Sequence, residues 1–340
     1  MSNNCKGKCR TEKDMNIAEI AKLAGVSSAA VSRYFNNGYI SESKKEAIRK
    51  VVDETGYRPS LQAQTLRTRK TMMIGVIAPK VASYSVGRVV DGIMKELDES
   101  GYHMLLAVTQ NDPKREIEYL NAFNGKQVDG VILIGTVFTA EHKSALKQMK
   151  VPVVIVGQNL QGYSSVYHDD LNAMYDMTRY LMKHGRKHPA YIGVLLQDEA
   201  AGKARNTGFV NAVTDAGHPE MAVHTEISEF SLESGREAAG RIMDAYPETD
   251  ALICATDEIA VGALELLLER GIKVPDKVMV TGQGDSKLLR AADHGIGTIR
   301  YSYERSGVLA AGMLLEKLNG DEDIRSEIKL GYSLVFPEVR

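Results

Sequence analysis

Apolar positions in residues 16–36 recur at helical spacing. Ile17, Ile20, Ala21 and Ala24 stand at i, i+3, i+4 and i+7, one face of a helix. Gly25 closes that stripe, because glycine accepts a left-handed cap without strain. Val26 supplies an apolar plug, and Ser27 is placed to N-cap a second helix by accepting a bond from a free backbone N–H. In that second helix Val31 and Phe35 face inward, while Ser28, Ala29, Ser32 and Arg33 face out. A short second helix carrying small polar groups and one arginine, joined to the first by a tight glycine turn, predicts a helix-turn-helix for the DNA major groove. A third helix is expected from Ser41 as N-cap through Ala47, Ile48, Val51, Val52 and Thr55. Gly56 stops it, and Pro59 prevents its resumption.

Residues 60–71 follow as a basic linker with a weak helical stripe through Leu61, Ala63 and Leu66. It is too short for a stable isolated helix, but suited to ordering against DNA. From residue 72 the pattern changes to apolar runs of strand length, at 73–78, 102–108, 128–135 and 151–157. Helical stripes at 86–100, 114–123 and 141–149 alternate with them. A second round gives helices at 171–184, 204–216, 234–245 and 258–270, and strands at 190–195, 251–255 and 278–282. Then come a short strand at 298–300, a helix at 303–318 and a strand-like stretch at 326–337. This βαβ rhythm predicts parallel sheets covered on both faces, in two similar α/β lobes with a cleft between them. Ligands of open α/β sheets sit beyond the carboxyl ends of the strands. The polar residues expected there are Lys80, Ser83, Tyr84, Arg88, Asp170, Arg205, Thr256, Asp257, Asp285 and Tyr301.

Composition narrows the classes. At 340 residues, 44% hydrophobic and 25% charged, the chain reads as a globular protein of two or three domains. No apolar run approaches ~18 residues, so no membrane span is expected. The polar start lacks an apolar signal region, which points to the cytoplasm. Residues 1–14 are patternless and expected to be a disordered arm. Three cysteines make no disulfide framework; Cys5 and Cys9 lack the further ligands of a zinc site, and Cys254 falls in a buried strand. Met174, Met177 and Met182 along one helix read as packing residues. Charge is unevenly spread. Residues 1–70 carry 14 basic against 7 acidic side chains, leaving 28 against 37 of the chain's 42 and 44 for the remainder. A basic head on an acidic body predicts that only the head meets the phosphate backbone.

The chemistry of an enzyme is missing. Gly282 and Gly284 do not extend to G-x-G-x-x-G after the first strand, and there is no P-loop or G-x-S-x-G elbow. His168, His184, His188 and His294 are scattered and read as surface residues. No cofactor or metal is expected.

Several stretches carry a resemblance: I-A-x-x-A-G-V-S-x-x-x-V-S-R in the head, G-Y-R-P-S before the linker, M-I-G-V-I opening the body, Q-V-D-G-V-I-L-I, C-A-T-D-E-I-A-V-G-A-L, and G-T-I-R. Over residues 15–340 the chain resembles the LacI/GalR family of sugar-responsive repressors. The resemblance implies a helix-turn-helix head at 15–59, a hinge helix at 60–71, and a body at 72–340 like a periplasmic binding protein. Three segments cross between its lobes, the first lobe spanning about 72–170 and 300–328 and the second about 171–297 and 329–340.

It also implies a homodimer on a pseudo-palindromic operator, with Asn16, Ile17, Ser27, Ser28, Ala29, Ser32, Arg33, Asn36 and Tyr39 at the DNA and Leu66 wedged into the minor groove. Arg205, four residues before an aromatic, matches an arginine that grips sugar hydroxyls. Asp170, Thr256 and Asp257 match other sugar-contacting positions, and Tyr303 a lining aromatic. The stretches ending in Asp170, Arg205 and Asp257 are similar to trehalose-operon repressors. That implies a sugar or sugar phosphate as effector, such as trehalose 6-phosphate, with Arg88 and Lys80 as candidate phosphate ligands. The alternative is a catabolite-type regulator with a phosphorylated protein corepressor. One departure concerns the ligand: Gly282-Gln-Gly-Asp-Ser286 stands where the family usually has Gly-Tyr-Asp-Asp. The usual aspartate therefore aligns with Gly284, and Asp285 is its candidate replacement. No leucine heptad closes the chain, so a dimer rather than a tail-mediated tetramer is expected.

Overall fold

The computed structural model describes residues 15–36, 38–57, 70–125, 127–292, 294–320 and 325–336. The chain divides into two compact units, Met1–Thr71 and Met72–Arg340. The expected arm over 1–14 with Cys5 and Cys9, the stop at Pro59, and most of the expected hinge with Leu66 lie outside the described residues.

In the first unit α1 (Ile17–Leu23), α2 (Ser28–Phe35) and α3 (Glu42–Thr55) enclose a small core. Ile20, Ala21, Ala30, Val31, Ile48 and Tyr57 are its buried members, with Ile17, Val26 and Phe35 packed at its edge. Asn16 caps α1 by accepting from the amides of Ala18 and Glu19, and Glu19 accepts in return from the Asn16 amide at 2.9 Å. Gly25 turns the chain at φ +64°, and Ser27 Oγ accepts from the Ala30 amide at 3.2 Å. Ser41 occupies the N-cap position of α3 without making a cap bond. Its hydroxyl lies 3.3 Å from that of Ser43 instead.

The second unit is built on two six-stranded sheets. The first runs in the order β11-β5-β4-β3-β1-β2, and every pair in it is parallel. Its strands are β1 (Met73–Ala78), β2 (His103–Val108), β3 (Gly130–Ile134), β4 (Val153–Val156), β5 (Ser164–His168) and β11 (Glu327–Leu330). The helices α4 (Tyr84–Ser100), α5 (Pro113–Phe123), α6 (Ala140–Lys147) and α12 (Tyr303–Leu318) cover it. Two apolar clusters, one on each face, account for the continuous burial of β1, β3 and β4.

The second sheet runs β12-β10-β9-β8-β6-β7. It comprises β6 (Pro189–Gly193), β7 (Thr225–Ile227), β8 (Ala251–Cys254), β9 (Met279–Gln283), β10 (Gly297–Tyr301) and β12 (Tyr332–Val335). Only β12 is antiparallel to its neighbour, with Ile299 facing Leu334. Around this sheet pack α7 (Asp170–Lys183), α8 (Arg205–Asp215), α9 (Leu232–Ala245), α10 (Asp257–Glu269) and α11 (Lys287–Ala292). Cys254, Met174 and Met177 are fully enclosed in one core with Tyr191 and Phe209.

The strand order fixes where the chain crosses between lobes. It leaves the first sheet after His168, returns after Tyr301, and crosses again between Leu330 and Tyr332. Two of these points fall later than expected: β10 stays in the second sheet through Tyr301, and β11 in the first through Leu330. The single strand-like stretch at 326–337 is two strands on different sheets, broken at Gly331. β5 carries too few apolar residues to read as a strand, yet Ser164 and Ser165 are buried in it beside Val166.

Candidate functional site

On α2 the side chains of Ser28, Ala29 and Arg33 are exposed, and Ser32 is half-buried. Asn36 is exposed just beyond the helix, and its side-chain amide donates to the carbonyl of Ser32. Tyr39 is 92% exposed, a large aromatic with nothing of the head packed over it. Ile17 differs from these: its side chain packs on the head core, so only the start of its helix faces outward. Asn16 and Ser27 spend side-chain oxygens on caps, which fixes the entry of both helices.

The body opens a cleft of about 440 Å3 between its lobes, at the carboxyl ends of the strands. Lys80 and Tyr84 face it from the first lobe, and Arg205, Thr256 and Asp257 from the second. Tyr303, just after the second crossover, lines it as well. Arg205 is 8% exposed and held on two sides. Its Nε and Nη2 lie 2.8 and 2.7 Å from Asp170 Oδ1, and its Nη1 donates to the carbonyl of Ala255. The guanidinium stands 5.5 Å from the centre of the Tyr301 ring. Asp170 is 6% exposed and opens α7 directly after the first crossover. It faces Arg205 and a smaller recess rather than the cleft, and so touches the cleft lining only through the arginine.

Asp257 opens α10, where Thr256 Oγ caps by accepting from the Ile259 amide. Its carboxylate accepts from Thr298 Oγ1 at 2.7 Å and from the Ser286 amide at 2.6 Å. Burial pushes its pKa up despite these bonds. Two glycines make room for it, Gly282 where the family pattern holds and Gly284 where it departs. A Cβ on Gly282 would stand 2.4 Å from Asp257 Oδ1, and Gly284 sits beside Oδ2 at φ +139°.

Asp285 does not take the place expected of it. At φ +54° it turns away from the cleft, and its carboxylate is bound by Arg290 (2.8 and 2.5 Å) and Arg300 (2.5 Å). Burial pushes it up, but the bonds from Arg290 and Arg300 outweigh that and hold it below the usual carboxylate range. It lines an adjoining cavity of about 520 Å3, together with Tyr301 and Arg88; Tyr84, Gly284 and Tyr303 border both this cavity and the cleft. Arg88 pairs there with Asp91 at 2.9 Å and with Glu304. Neither Asp285, Tyr301 nor Arg88 therefore lines the cleft that Arg205 and Asp257 share.

Two residues were missed. His168, expected at the surface, is 8% exposed at the first crossover, with ring centres 5.1 Å from Tyr301 and 5.2 Å from Tyr303. Burial holds its imidazole below the usual range, which favours the neutral ring. Gln283 is 4% exposed and lines the cleft. Its Oε1 accepts from Tyr301 at 2.8 Å, while its buried Nε2 has no hydrogen-bond partner among the described residues. The signal for it was the Gly-Gln-Gly departure itself. Among the described residues no group of three or more His, Cys, Asp or Glu could hold a metal ion, and no helix is long and apolar enough to cross a membrane.

A helix-turn-helix head on a two-lobed body with a polar inter-lobe cleft defines a DNA-binding unit and a small-molecule receptor in one chain. Residues 71–331 match the family described as periplasmic binding proteins and sugar binding domain of LacI family, and residues 16–60 match bacterial regulatory proteins, lacI family. The chain belongs to the LacI family. It is 33% identical to the sucrose operon repressor of Staphylococcus xylosus, over 89% of this chain and 92% of that one. It is 28% identical to the transcriptional regulator TreR of Salmonella typhimurium, over 92% and 96%. The lac repressor dimer bound to operator and the anti-inducer ONPF shares its fold with a TM-score of 0.86 at 20% identity, covering 95% of this chain and 98% of that one. The chain is thus a DNA-binding transcriptional regulator and not an enzyme, of a family that binds operator DNA and sugar effectors.

Proposed function

We propose that the chain is a cytoplasmic homodimer that represses a carbohydrate-utilisation operon, and that a sugar in the inter-lobe cleft sets its affinity for a pseudo-palindromic operator. The observation that carries this reading is Arg205. A buried arginine held by Asp170 beside a crossover links whatever fills the cleft to the segments on which the lobes turn. Asp257 and Gln283 add an acceptor and an unused donor, the pairing that sugar hydroxyls require. The sucrose and trehalose regulators among its relatives support the same class of ligand.

In the head, Ser28, Ala29 and Arg33 are the base-reading side chains. With two of the three so small, Arg33 and DNA deformation by Leu66 carry much of the choice of operator. Effector and DNA favour different arrangements of the body, so each changes the other's affinity by the same factor. A coupling of ~1–3 kcal/mol gives ~5–150-fold regulation.

The test is a thermal-shift screen of mono- and disaccharides and their phosphates, with the best ligand taken into an operator titration by fluorescence anisotropy. A sugar that stabilises the protein and shifts operator affinity within that range is expected. Equal operator affinity across the whole panel would falsify the proposal. Arg33→Ala should weaken specific binding by roughly 1–3 kcal/mol if it reads a guanine, and unchanged operator discrimination removes it from the reading face.

A further inference from the structure

The cleft adjoins a second compartment of about 840 Å3. Lys80, Asn111, Thr136 and Phe230 line both, so the two are neighbours along that border. Each alone falls within the roughly 300–1,000 Å3 of small-ligand sites. The inner compartment offers Tyr84, Phe230 and Tyr303 as aromatic faces, and Gln283 Nε2 as a buried donor without a partner. The outer compartment has its own orphaned polar atoms. Glu116 Oε1 and His142 Nε2, on residues 4% and 0% exposed, lie 3.4 Å apart at its wall and make no hydrogen bond.

The charges of this space oppose an anion. Asp198, Glu229, Glu233 and Glu237 line the outer compartment. Against them stand Lys80 and Arg241, and Arg241 is already bound to Glu226 at 2.7 Å. Inside, Arg205 is neutralised by Asp170, and Lys80 and Lys287 share the lining with Asp257 and Glu258. Arg88, a candidate phosphate ligand, lies in the adjoining cavity rather than in the cleft lining and is paired twice, with Asp91 and Glu304. A phosphate monoester carries about −1.5 to −2 charges at pH 7. Here it would meet more carboxylates than free cations, in a partly desolvated space where like charges repel most.

Resting on the reading of the cleft as a sugar site, we propose that its effector is an uncharged saccharide of at least two rings, the first beside Arg205 and Gln283 and the second in the acidic outer compartment. Hydroxyls donate to the carboxylates there, whereas a phosphate dianion only accepts and is repelled by them. The structure thereby separates the unphosphorylated sugar from its phosphorylated form, and favours the first.

The experiment is calorimetric titration of the full-length chain with sucrose, trehalose and cellobiose, with sucrose 6-phosphate and trehalose 6-phosphate, and with glucose. A neutral disaccharide should bind at least tenfold more tightly than its own 6-phosphate and than glucose. The double variant Glu233→Gln/Glu237→Gln should narrow the gap to the phosphate by roughly tenfold while leaving operator binding without sugar unchanged. A phosphorylated sugar that binds as well or better overturns the proposal and leaves the sugar-responsive reading standing. Glucose binding as tightly as any disaccharide overturns the two-ring assignment. If no sugar of either kind binds while the operator is still held, the sugar-effector reading falls with it.

Discussion

Two arginine–carboxylate clusters border neighbouring cavities that share Gly284 and Tyr303 in their linings. In one, Arg205 and Asp170 are both almost wholly buried, side chains 9% and 6% exposed. In the other, Asp285 is buried, but its partners Arg290 and Arg300 have side chains 60% and 55% exposed. The chemistry is the same and the consequence is not. A buried pair is expensive to break, because either survivor is left charged in a dry place. It therefore holds a guanidinium in one position for a ligand to find. An exposed arginine trades its carboxylate for water at little cost, so the second cluster fastens a tight turn and leaves the cleft free.

The sharpest way to break this contrast is Asp170→Ala. It should cost roughly 3–5 kcal/mol of stability, read by urea denaturation, and abolish the response to sugar. A loss under about 1 kcal/mol would show that the pair is not held as described. Gly282→Ala comes next. Its new Cβ would meet Asp257 Oδ1 at 2.4 Å and the Asp257 backbone at 2.9 Å. A loss of about 1–3 kcal/mol, together with weaker sugar binding, is expected from such overpacking.

The buried carboxylate Glu116 extends the comparison to a case with no arginine. Burial raises its pKa from 4.5 to about 7. A raised carboxylate stabilises the fold while protonated, fully below pH 4.5, and that contribution is lost as pH rises through 7. The slope is at most about 1.4 kcal/mol per pH unit. His142 beside it is lowered by burial, so its contribution is present above 6.5 and lost as pH falls. Glu116→Gln should therefore remove the decline between pH 5 and 7 and leave the acid-side decline, as followed by denaturation at several pH values. An unchanged slope would place Glu116 in water. The smallest effect is expected for Arg290→Ala. With Arg300 still on Asp285, the loss should stay within about 1 kcal/mol, and sugar affinity should not move. A larger change in sugar affinity would mean that the Asp285 turn shapes the cleft after all.

What the sequence made legible follows from where periodicity is strong. The head was readable down to Ser27 as cap and Gly25 as turn, because a short helix leaves few ways to bury Ile20 and Val31. The αβ rhythm of the body was equally plain wherever strands are buried on both faces. β5 was not, because its serines are buried by neighbours distant in sequence and carry no apolar signal of their own. Arg205 and Asp257 follow from the rule that ligands sit beyond the carboxyl ends of strands, and again from resemblance, and the two share one cleft. Asp285 misled because adjacency in sequence suggested that it replaces the missing aspartate. The positive φ at its backbone points the carboxylate to Arg290 and Arg300 instead. His168 was read as surface because a lone histidine gives no clue that a second crossover will lay Tyr301 and Tyr303 against it.

Only Gly331 separates β11 in one sheet from β12 in the other. A single residue is too short a tether for the sheets to draw apart or slide. Any movement of the lobes that keeps both strands intact is a rotation about an axis close to this residue. In such a motion displacement grows with distance from the axis. Tyr301 pairs with Tyr332 beside Gly331, so a ligand acting on the cleft at Tyr303 works on the short arm of a lever, and the far ends of the lobes sweep the long one.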